Sequence, residues 1–437
     1  MRRTALMKAG LLALVLALSV ASVAVAQVTG LYYQEVEKDG RVFVFNTPER
    51  YQSWQSSGDI GTAITLVGRG ASGETIVAEN ETAMDLYLFK HNLPAYDRPT
   101  PKAAKAADFP ANKLGIRVYA DASSKVNKDD ATGKKSSDSG EGVDVKRTYF
   151  TYTHQFDSMW SAQFQSDIGD QGAKRYDVFV KKAYIQAQFN PQLALRLGSA
   201  DLAWVPFVES LYGLRYVEQV ITDRLSFGTS ADWGFHLLGN SPLWGYQFSV
   251  INGKGYSNPT RTKSVDFEGR LSLTPVEGLV LAVGGYSGKR GNDTDAVPAL
   301  HTATRTDAVI GYSTSFFKIG GEYFQSDNWN NTTTVATDKA DGFSGWGQIN
   351  FNPEWSIFAR YDTSKPSKDL KPDLKETYYN AGVQWTLNKA FSASLVYKYD
   401  EVKGGTFTTG DAGATGSVNA NSKGKFSEIG IYTVYNF

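Results

Sequence analysis

The 437-residue sequence contains no cysteine, which excludes disulfide scaffolds, thiolate metal sites and cysteine nucleophiles. Histidine is also scarce, and no two of the four residues are close enough in sequence to suggest a pair of metal ligands. His154 and His236 fall in or near strand patterns, His91 lies outside the strand-rich part and His301 lies in a polar connection, so none indicates the base of a nucleophile. Net charge is lacking too, because 45 basic side chains balance 45 acidic ones, and this balance argues against a nucleic-acid partner. We therefore expect no enzyme activity, no cofactor and no metal site.

Long hydrophobic runs are absent after residue 26. Basic residues among the first eight positions precede an almost wholly apolar stretch at residues 11–25, which ends in Ala24-Val25-Ala26. This order of charge, apolar centre and small residues is typical of a secretory signal peptide, and the apolar stretch is shorter than the roughly 20 residues of a spanning helix. We predict a signal peptide over residues 1–26 and an exported protein. If the chain crosses a membrane, it crosses as strands.

The next segment differs in pattern from the rest of the chain. Asp39-Gly40 favours the type I′ turn of a β-hairpin, and Thr47-Pro48-Glu49 favours the start of a helix. Residues 97–113 are rich in proline and alanine, which is the composition of a linker. We predict a small α+β module at residues 27–96, followed by this linker.

From residue 114 to residue 437 the sequence alternates with a period of two. The alternation is clearest at Phe391–Tyr399, where the odd positions are apolar or aromatic and most even positions are small or charged. Such strands meet an apolar medium on one face and a polar medium on the other. A soluble sandwich would also alternate, but many of these strands end in Trp, Tyr or Phe, as in the aromatic girdles of outer-membrane barrels. The predicted fold class is an all-β transmembrane barrel.

The connections between the predicted strands give their number. Seven connections are short turns, eight are long and polar, and the two kinds alternate along the chain, which gives about sixteen antiparallel strands. Short periplasmic turns and long outer loops are typical of bacterial barrels, and sixteen strands leave an aqueous channel. The predicted short turns lie near residues 157–158, 190–192, 240–242, 274–277, 315–316, 352–354 and 388–390, and the long connections at 122–144, 169–177, 200–230, 252–263, 287–304, 326–343, 362–376 and 400–424.

Four short stretches carry a family resemblance. Val145–Phe150, Ala183–Gln186, Leu195–Gly198 and Pro206–Ser210 resemble the phosphate-selective porin O and P family of outer-membrane proteins. The resemblance covers residues 114–437 in architecture, and its recognisable motifs lie within residues 145–234. It implies an outer-membrane porin, for which we expect a homotrimer.

The third long connection, residues 200–230, is too apolar for a loop in water, since it contains Trp204, Pro206 and Phe207. We predict that it folds into the barrel, where its charged side chains would face bases on the first strands and screen solutes by charge and size. The alternative is that these charges are ordinary solvated side chains of the lumen. The predicted pore-lining or constriction residues are Arg117, Arg147, Lys182, Arg196, Asp201, Glu209, Arg215, Glu218, Asp223 and Arg224.

These observations predict an outer-membrane porin that forms an aqueous channel for the passive diffusion of small hydrophilic solutes and ions. One alternative is a solute-specific channel for phosphate or another anion. Another is a structural barrel whose N-terminal module ties the outer membrane to the cell wall. The predicted location is the outer membrane of a Gram-negative-type bacterium, with residues 27–96 in the periplasm. The expected partners are small hydrophilic solutes and ions, outer-membrane lipid, further copies of the chain in a homotrimer and, through the module, the cell wall.

Overall fold

The computed structural model describes residues 32–96, 109–129, 135, 139–170, 176–405, 407–408, 419–420 and 424–437. The predicted signal peptide (residues 1–26) and most of the predicted linker (residues 97–108) lie outside these residues. The chain divides into two compact units between Ala106 and Ala107. Within the described residues, none of the helices is long and apolar enough to span a membrane.

The first unit is a small α/β module. Its elements are β1 (Gln34–Lys38), β2 (Arg41–Phe45), α1 (Pro48–Ser57), β3 (Ile64–Leu66), β4 (Thr75–Ala78) and α2 (Glu81–Lys90). The strands form one sheet in the order β1-β2-β4-β3, in which β2 and β4 are parallel and the other pairs are antiparallel. The predicted module of strands and helices is confirmed.

Local sequence chemistry explains the ends of these elements. Asp39 and Gly40 have φ angles of 52° and 70°, the two positive values that a type I′ turn between β1 and β2 requires. Helix α1 has proline in its first turn and ends at Gly58, whose left-handed backbone is readily available to glycine. At the start of α2, the Asn80 side chain accepts a hydrogen bond from the backbone N–H of Ala83 at 2.9 Å.

A polar cluster connects β1 to the end of α2. The Glu35 carboxylate lies 3.1 Å from Lys90 Nζ and 2.9 Å from His91 Nε2, and it accepts a hydrogen bond from the Tyr33 hydroxyl. Partial burial acts to raise the pKa of Glu35, but these three contacts outweigh it and hold the pKa below its usual value.

The second unit is a closed antiparallel barrel of sixteen strands, so the predicted fold class is confirmed. Strand β22 pairs with β5 and closes the barrel, and β20 and β21 form a separate two-stranded sheet. The strands are β5 (Ala111–Asp129), β6 (Gly140–Gln155), β7 (Trp160–Asp170), β8 (Tyr176–Asn190), β9 (Leu193–Asp201), β10 (Ala231–Asn240), β11 (Trp244–Ile251), β12 (Asp266–Val276), β13 (Leu279–Gly288), β14 (Ala303–Ser313), β15 (Phe317–Asp327), β16 (Lys339–Asn350), β17 (Trp355–Lys365), β18 (Lys375–Asn388), β19 (Phe391–Lys403), β20 (Phe407–Thr408), β21 (Asn419–Ala420) and β22 (Gly424–Asn436).

The short turns lie where the sequence predicts them, except that β12 continues to Val276 through most of the turn predicted at 274–277. Several barrel strands, β5 and β6 among them, are longer than predicted. Strand β5 begins at Ala111, inside the predicted linker, because residues 111–113 pair with residues 153–155 of β6. The same ladder runs on past the apolar band, so the predicted long connection at 122–144 shortens to residues 130–139. Backbone pairing does not need alternating side chains, and the sequence pattern therefore underestimates these strands.

The alternation of side chains is the one that the sequence predicts. On β19, Leu395 points out of the barrel and is 56% exposed, whereas the neighbouring Ser394 points inward and is 1% exposed. Tyr323, Phe343 and Tyr379 are likewise exposed on other strands. Along the middle of the strands the outer surface is therefore apolar and aromatic, and charged side chains such as Lys398, Arg360 and Glu322 face the lumen.

Candidate functional site

Residues 202–230, between β9 and β10, lie inside the barrel, as the sequence predicts. This inserted segment contains two short helices, α3 (Val205–Tyr212) and α4 (Ile221–Arg224). Trp204, Val205 and Val208 are fully buried and pack in one cluster with inward-facing wall residues such as Phe358 and Tyr432. An apolar core thus forms inside the barrel, between the inserted segment and the wall.

The first part of the inserted segment is bound to β12 and β15. The Trp204 backbone N–H donates to Glu268 at 3.1 Å, and its indole N–H donates to Glu322 at 2.8 Å. Arg270 Nε donates to the Ala203 carbonyl at 2.9 Å. These bonds satisfy polar groups that the apolar cluster would otherwise leave buried and unpaired.

The middle of the inserted segment is bound to β17 and β19. Lys398 Nζ donates to the Val217 carbonyl at 2.7 Å, and Arg360 donates to the Gln219 carbonyl at 2.5 Å. Further on, Arg305 of β14 donates to the carbonyl of Phe227. The segment therefore occupies the side of the lumen formed by β12–β19.

An opening remains on the other side, between the inserted segment and β5–β8. It is a cavity of about 370 Å³. Its charged side chains are four bases and two acids: Arg117, Lys181, Lys182, Arg215, Asp201 and Glu209. The Lys182 ammonium lies 2.6 Å from the Asp201 carboxylate, and Arg215 Nε lies 2.6 Å from Glu209. Since two of the four bases are paired within the cavity, its lining carries an excess of positive charge.

Two β-bulges bring additional lysines into the lumen. In β8 the register shifts beside Lys181, so that Lys181 and Lys182 both lie on the inner side although they are consecutive. In β6 a similar shift places Lys146 next to Arg147, and these two side chains are 6% and 2% exposed. A strict period of two puts only one residue of each pair inside. Lys181 is therefore a functional candidate that the sequence pattern misses.

A second, smaller cavity of about 150 Å³ adjoins the first on the side of the long connections. Arg147, Lys181, Arg215 and Asp223 contribute its charged side chains. Arg147 is paired with Asp167 at 2.9 Å, while Lys181 lies 4.0 Å from the same carboxylate. Lys181 and Arg215 line both cavities, so the two cavities meet between a wall lysine and an arginine of the inserted segment.

The structure brings together seven of the ten predicted constriction residues. Five of them line the first cavity and two line the second: Arg117, Lys182, Asp201, Glu209 and Arg215, and then Arg147 and Asp223. The other three lie elsewhere. Arg196 is bonded to Gln186 at 2.6 Å on the wall near the short turns. Glu218 and Arg224 are buried in ion pairs with the wall formed by β12–β19, which we call the far wall.

The fold has many solved counterparts. The anion-selective porin from Comamonas acidovorans superposes with a TM-score of 0.55 at 13% identity, over 75% of this chain and 99% of the porin. OmpF of Salmonella typhi, solved in complex with daunomycin, gives 0.52 at 14% identity, over 75% of this chain and 98% of OmpF. The outer-membrane channel DcaP of Acinetobacter baumannii gives 0.52 at 10% identity, over 75% and 97%.

These likenesses establish a shared fold, the sixteen-stranded barrel of outer-membrane porins and channels. No protein-family model and no curated protein sequence matches the chain. The resemblance to the phosphate-selective porin family therefore stays a prediction.

Proposed function

We propose that the barrel forms an aqueous channel in the outer membrane through which small hydrophilic solutes diffuse passively, with a preference for anions. The observation that carries this proposal is the opening between the inserted segment and β5–β8. Asp201 and Glu209 compensate Lys182 and Arg215, and Lys181 shares the single Asp167 carboxylate with Arg147. Arg117 adds a further base, so the opening carries an excess of positive charge. A narrow passage lined by one sign of charge concentrates ions of the opposite sign.

A second candidate function is a channel that binds phosphate or a related anion. The sequence resemblance favours it, as does the junction of the two cavities between Lys181 and Arg215. Against it, Arg215 is already bonded to Glu209 and Lys182 to Asp201. Bases held by internal carboxylates favour passage of anions over tight binding, so passive diffusion is the first proposal.

Planar-bilayer recordings of the purified protein test the proposal. In a KCl gradient, the reversal potential of the wild type should have the sign of an anion-preferring channel. The double variant Arg117→Gln with Lys181→Gln should shift it towards cations. Screening at about 1 M salt shortens electrostatic reach to about 3 Å, so the difference should shrink there.

The matched control is Lys365→Gln, which removes an exposed lysine from the outer end of β17, on the side of the barrel opposite the opening. It should leave the reversal potential unchanged. A wild type without conductance would contradict the channel itself. Equal reversal potentials in the double variant and the wild type would contradict the assigned lining. Current that saturates at low phosphate would favour the second candidate.

The orientation of the barrel supports a proposal for the location of the module. Strand β5 begins at the short-turn end of the barrel, and short turns face the periplasm in bacterial barrels. We therefore propose a periplasmic module, and contact with the cell wall is one role that such a location permits. A homotrimer is also proposed. The proposal is supported by OmpT of Vibrio cholerae, an outer-membrane protein whose structure was solved in a trimer form. Its fold is similar to that of this chain, with a TM-score of 0.50 at 13% identity.

A further inference from the structure

We infer that Arg224 is a positioning residue of the channel: its guanidinium holds the inserted segment against the far wall and so sets the width and the charge of the opening. This inference rests on the proposed channel function. Arg224 is not among the residues that line either cavity of the opening, so any effect on conduction passes through the inserted segment.

Arg224 binds three carboxylates from three neighbouring strands, which we call the acid socket: Asp362 (β17), Glu376 (β18) and Asp400 (β19). Its Nη2 lies 2.9 Å from Asp362 Oδ2 and 2.6 Å from Glu376 Oε1, and its Nη1 lies 3.2 Å from Asp400 Oδ2. The guanidinium also stacks 4.2 Å from the centre of the Tyr378 ring. Arg224 is 2% exposed, and the side chains of the three acids are at most 2% exposed. Charge-assisted bonds of this kind are stronger than neutral ones, and burial protects them from screening by salt.

The charges at the acid socket explain why removing Arg224 should disturb the inserted segment more than removing one of its other hydrogen bonds. Arg360 is the next base at the acid socket, where its Nη2 lies 2.6 Å from Asp362 Oδ2. Without Arg224, Asp362 would keep the Arg360 guanidinium, whereas Glu376 and Asp400 would each lose the ion pair that they make with Arg224. Removing one partner of a buried ion pair is strongly unfavourable because it leaves an uncompensated charge. The segment would have to move, so that water could reach the acids.

A shift at the acid socket is transmitted towards the opening through Arg360, which bonds both Asp362 of the socket and the Gln219 carbonyl of the inserted segment. Arg215 lines the opening, whereas the next residue, Tyr216, already bonds the far wall through Ser394 at 2.6 Å. The carbonyl of Val217 accepts a hydrogen bond from Lys398 at 2.7 Å. Loosening the far side therefore displaces Arg215 together with its ion pair to Glu209.

The test compares Arg224→Gln with the wild type in planar bilayers, after a gel-mobility assay has shown that the unheated protein is a folded barrel. We expect a larger and noisier single-channel conductance and a cation-to-anion permeability ratio closer to one. The control Arg261→Gln removes an exposed arginine of an outer connection and should behave as the wild type. The triple variant Arg224→Gln, Glu376→Gln, Asp400→Asn also neutralises the two carboxylates that lose Arg224, and it should return the conductance towards the wild-type value.

A purely packing role of Arg224 predicts no such recovery. If Arg224→Gln conducts like Arg261→Gln, or if the triple variant does not recover, the positioning role is refuted. If Arg224→Gln does not fold, the variant Glu376→Gln provides the test, because it weakens the acid socket but keeps the arginine. An unchanged conductance of Glu376→Gln would then refute the positioning role of Arg224. A non-conducting wild type would instead refute the proposed channel, which distinguishes the two failures.

Discussion

An arginine at position 395 tests which face of the barrel meets lipid. Leu395 lies on β19, four residues from Phe391 at the short-turn end, and its side chain is 56% exposed on the outer surface. Four residues at about 3.4 Å each, on a strand tilted by about 40°, place Leu395 about 10 Å inside an apolar band about 25 Å tall. That position is close to the middle of the bilayer, where an outward arginine costs about 2–4 kcal/mol. We expect Leu395→Arg to lower the free energy of unfolding by that amount.

The matched control is an arginine at the same depth on the inner face. Thr151 lies four residues from the short-turn end of β6 and lines the opening. It accepts a hydrogen bond from Gln165 at 2.6 Å, so Thr151→Arg should cost about 1 kcal/mol, the net value of one such bond. Ser394 is unsuitable as a control because Tyr216 covers it.

Urea unfolding of the protein in lipid vesicles, followed by tryptophan fluorescence, measures both losses if the slope against urea is the same for each variant. The reasoning would be refuted by equal losses for Leu395→Arg and Thr151→Arg. A larger loss for Thr151→Arg would mean that the assigned inner and outer faces are reversed.

Two further predictions concern orientation and pH. The chain contains no cysteine, so Val335→Cys on an outer connection should react with an impermeant maleimide on intact cells, whereas Lys389→Cys in a short turn should not. Equal labelling of the two variants would contradict the proposed orientation of the barrel in the outer membrane. Burial raises the pKa of Glu35, but the bonds from the neighbouring tyrosine, lysine and histidine lower it by more, so the folded pKa lies below the unfolded pKa of about 4.3. The ionised carboxylate therefore contributes its full stabilisation of the module above the unfolded pKa. This stabilisation should be lost as the pH falls through the lower folded pKa, and hydrogen exchange of the module amides in the whole protein measures the loss. Glu35→Gln should abolish this pH-dependent change in exchange, and an unchanged pH dependence in the variant would contradict the assignment.

The number of strands and their faces could be predicted because lipid imposes alternation on every membrane-spanning residue. Strand length could not, because hydrogen bonding between β5 and β6 continues past the apolar band into exposed residues such as Ser124 and Glu141. There neither face needs to be apolar, and the pattern gives no signal.

The constriction was predictable as a segment but not residue by residue. The apolar residues around Trp204 identify the segment that leaves the solvent, since a loop in water would not retain them. Charged residues give no comparable signal. Arg224 and Arg215 look alike in sequence, yet the acids that bury Arg224 lie 138–176 residues further along the chain. Lys181 was missed because a bulge interrupts the period of two, and no single-sequence pattern marks that position.

The seam between β5 and β22 has a consequence for how the barrel is assembled. Arg117 and Asn436, hydrogen-bonded at 2.7 Å, are separated by 319 residues. Closing a flexible loop of that length costs about 5 kcal/mol of chain entropy, which is more than the closure of a hairpin between neighbouring strands costs. Until the seam forms, both strands present unpaired amides and carbonyls, and a lipid bilayer offers these groups no partner. A partly closed barrel is therefore unstable in the membrane, so insertion of this chain into the membrane and closure of its barrel should occur together, late in folding. The pairing of β5 with β22, which joins the most distant parts of the barrel sequence, should limit the rate of this step.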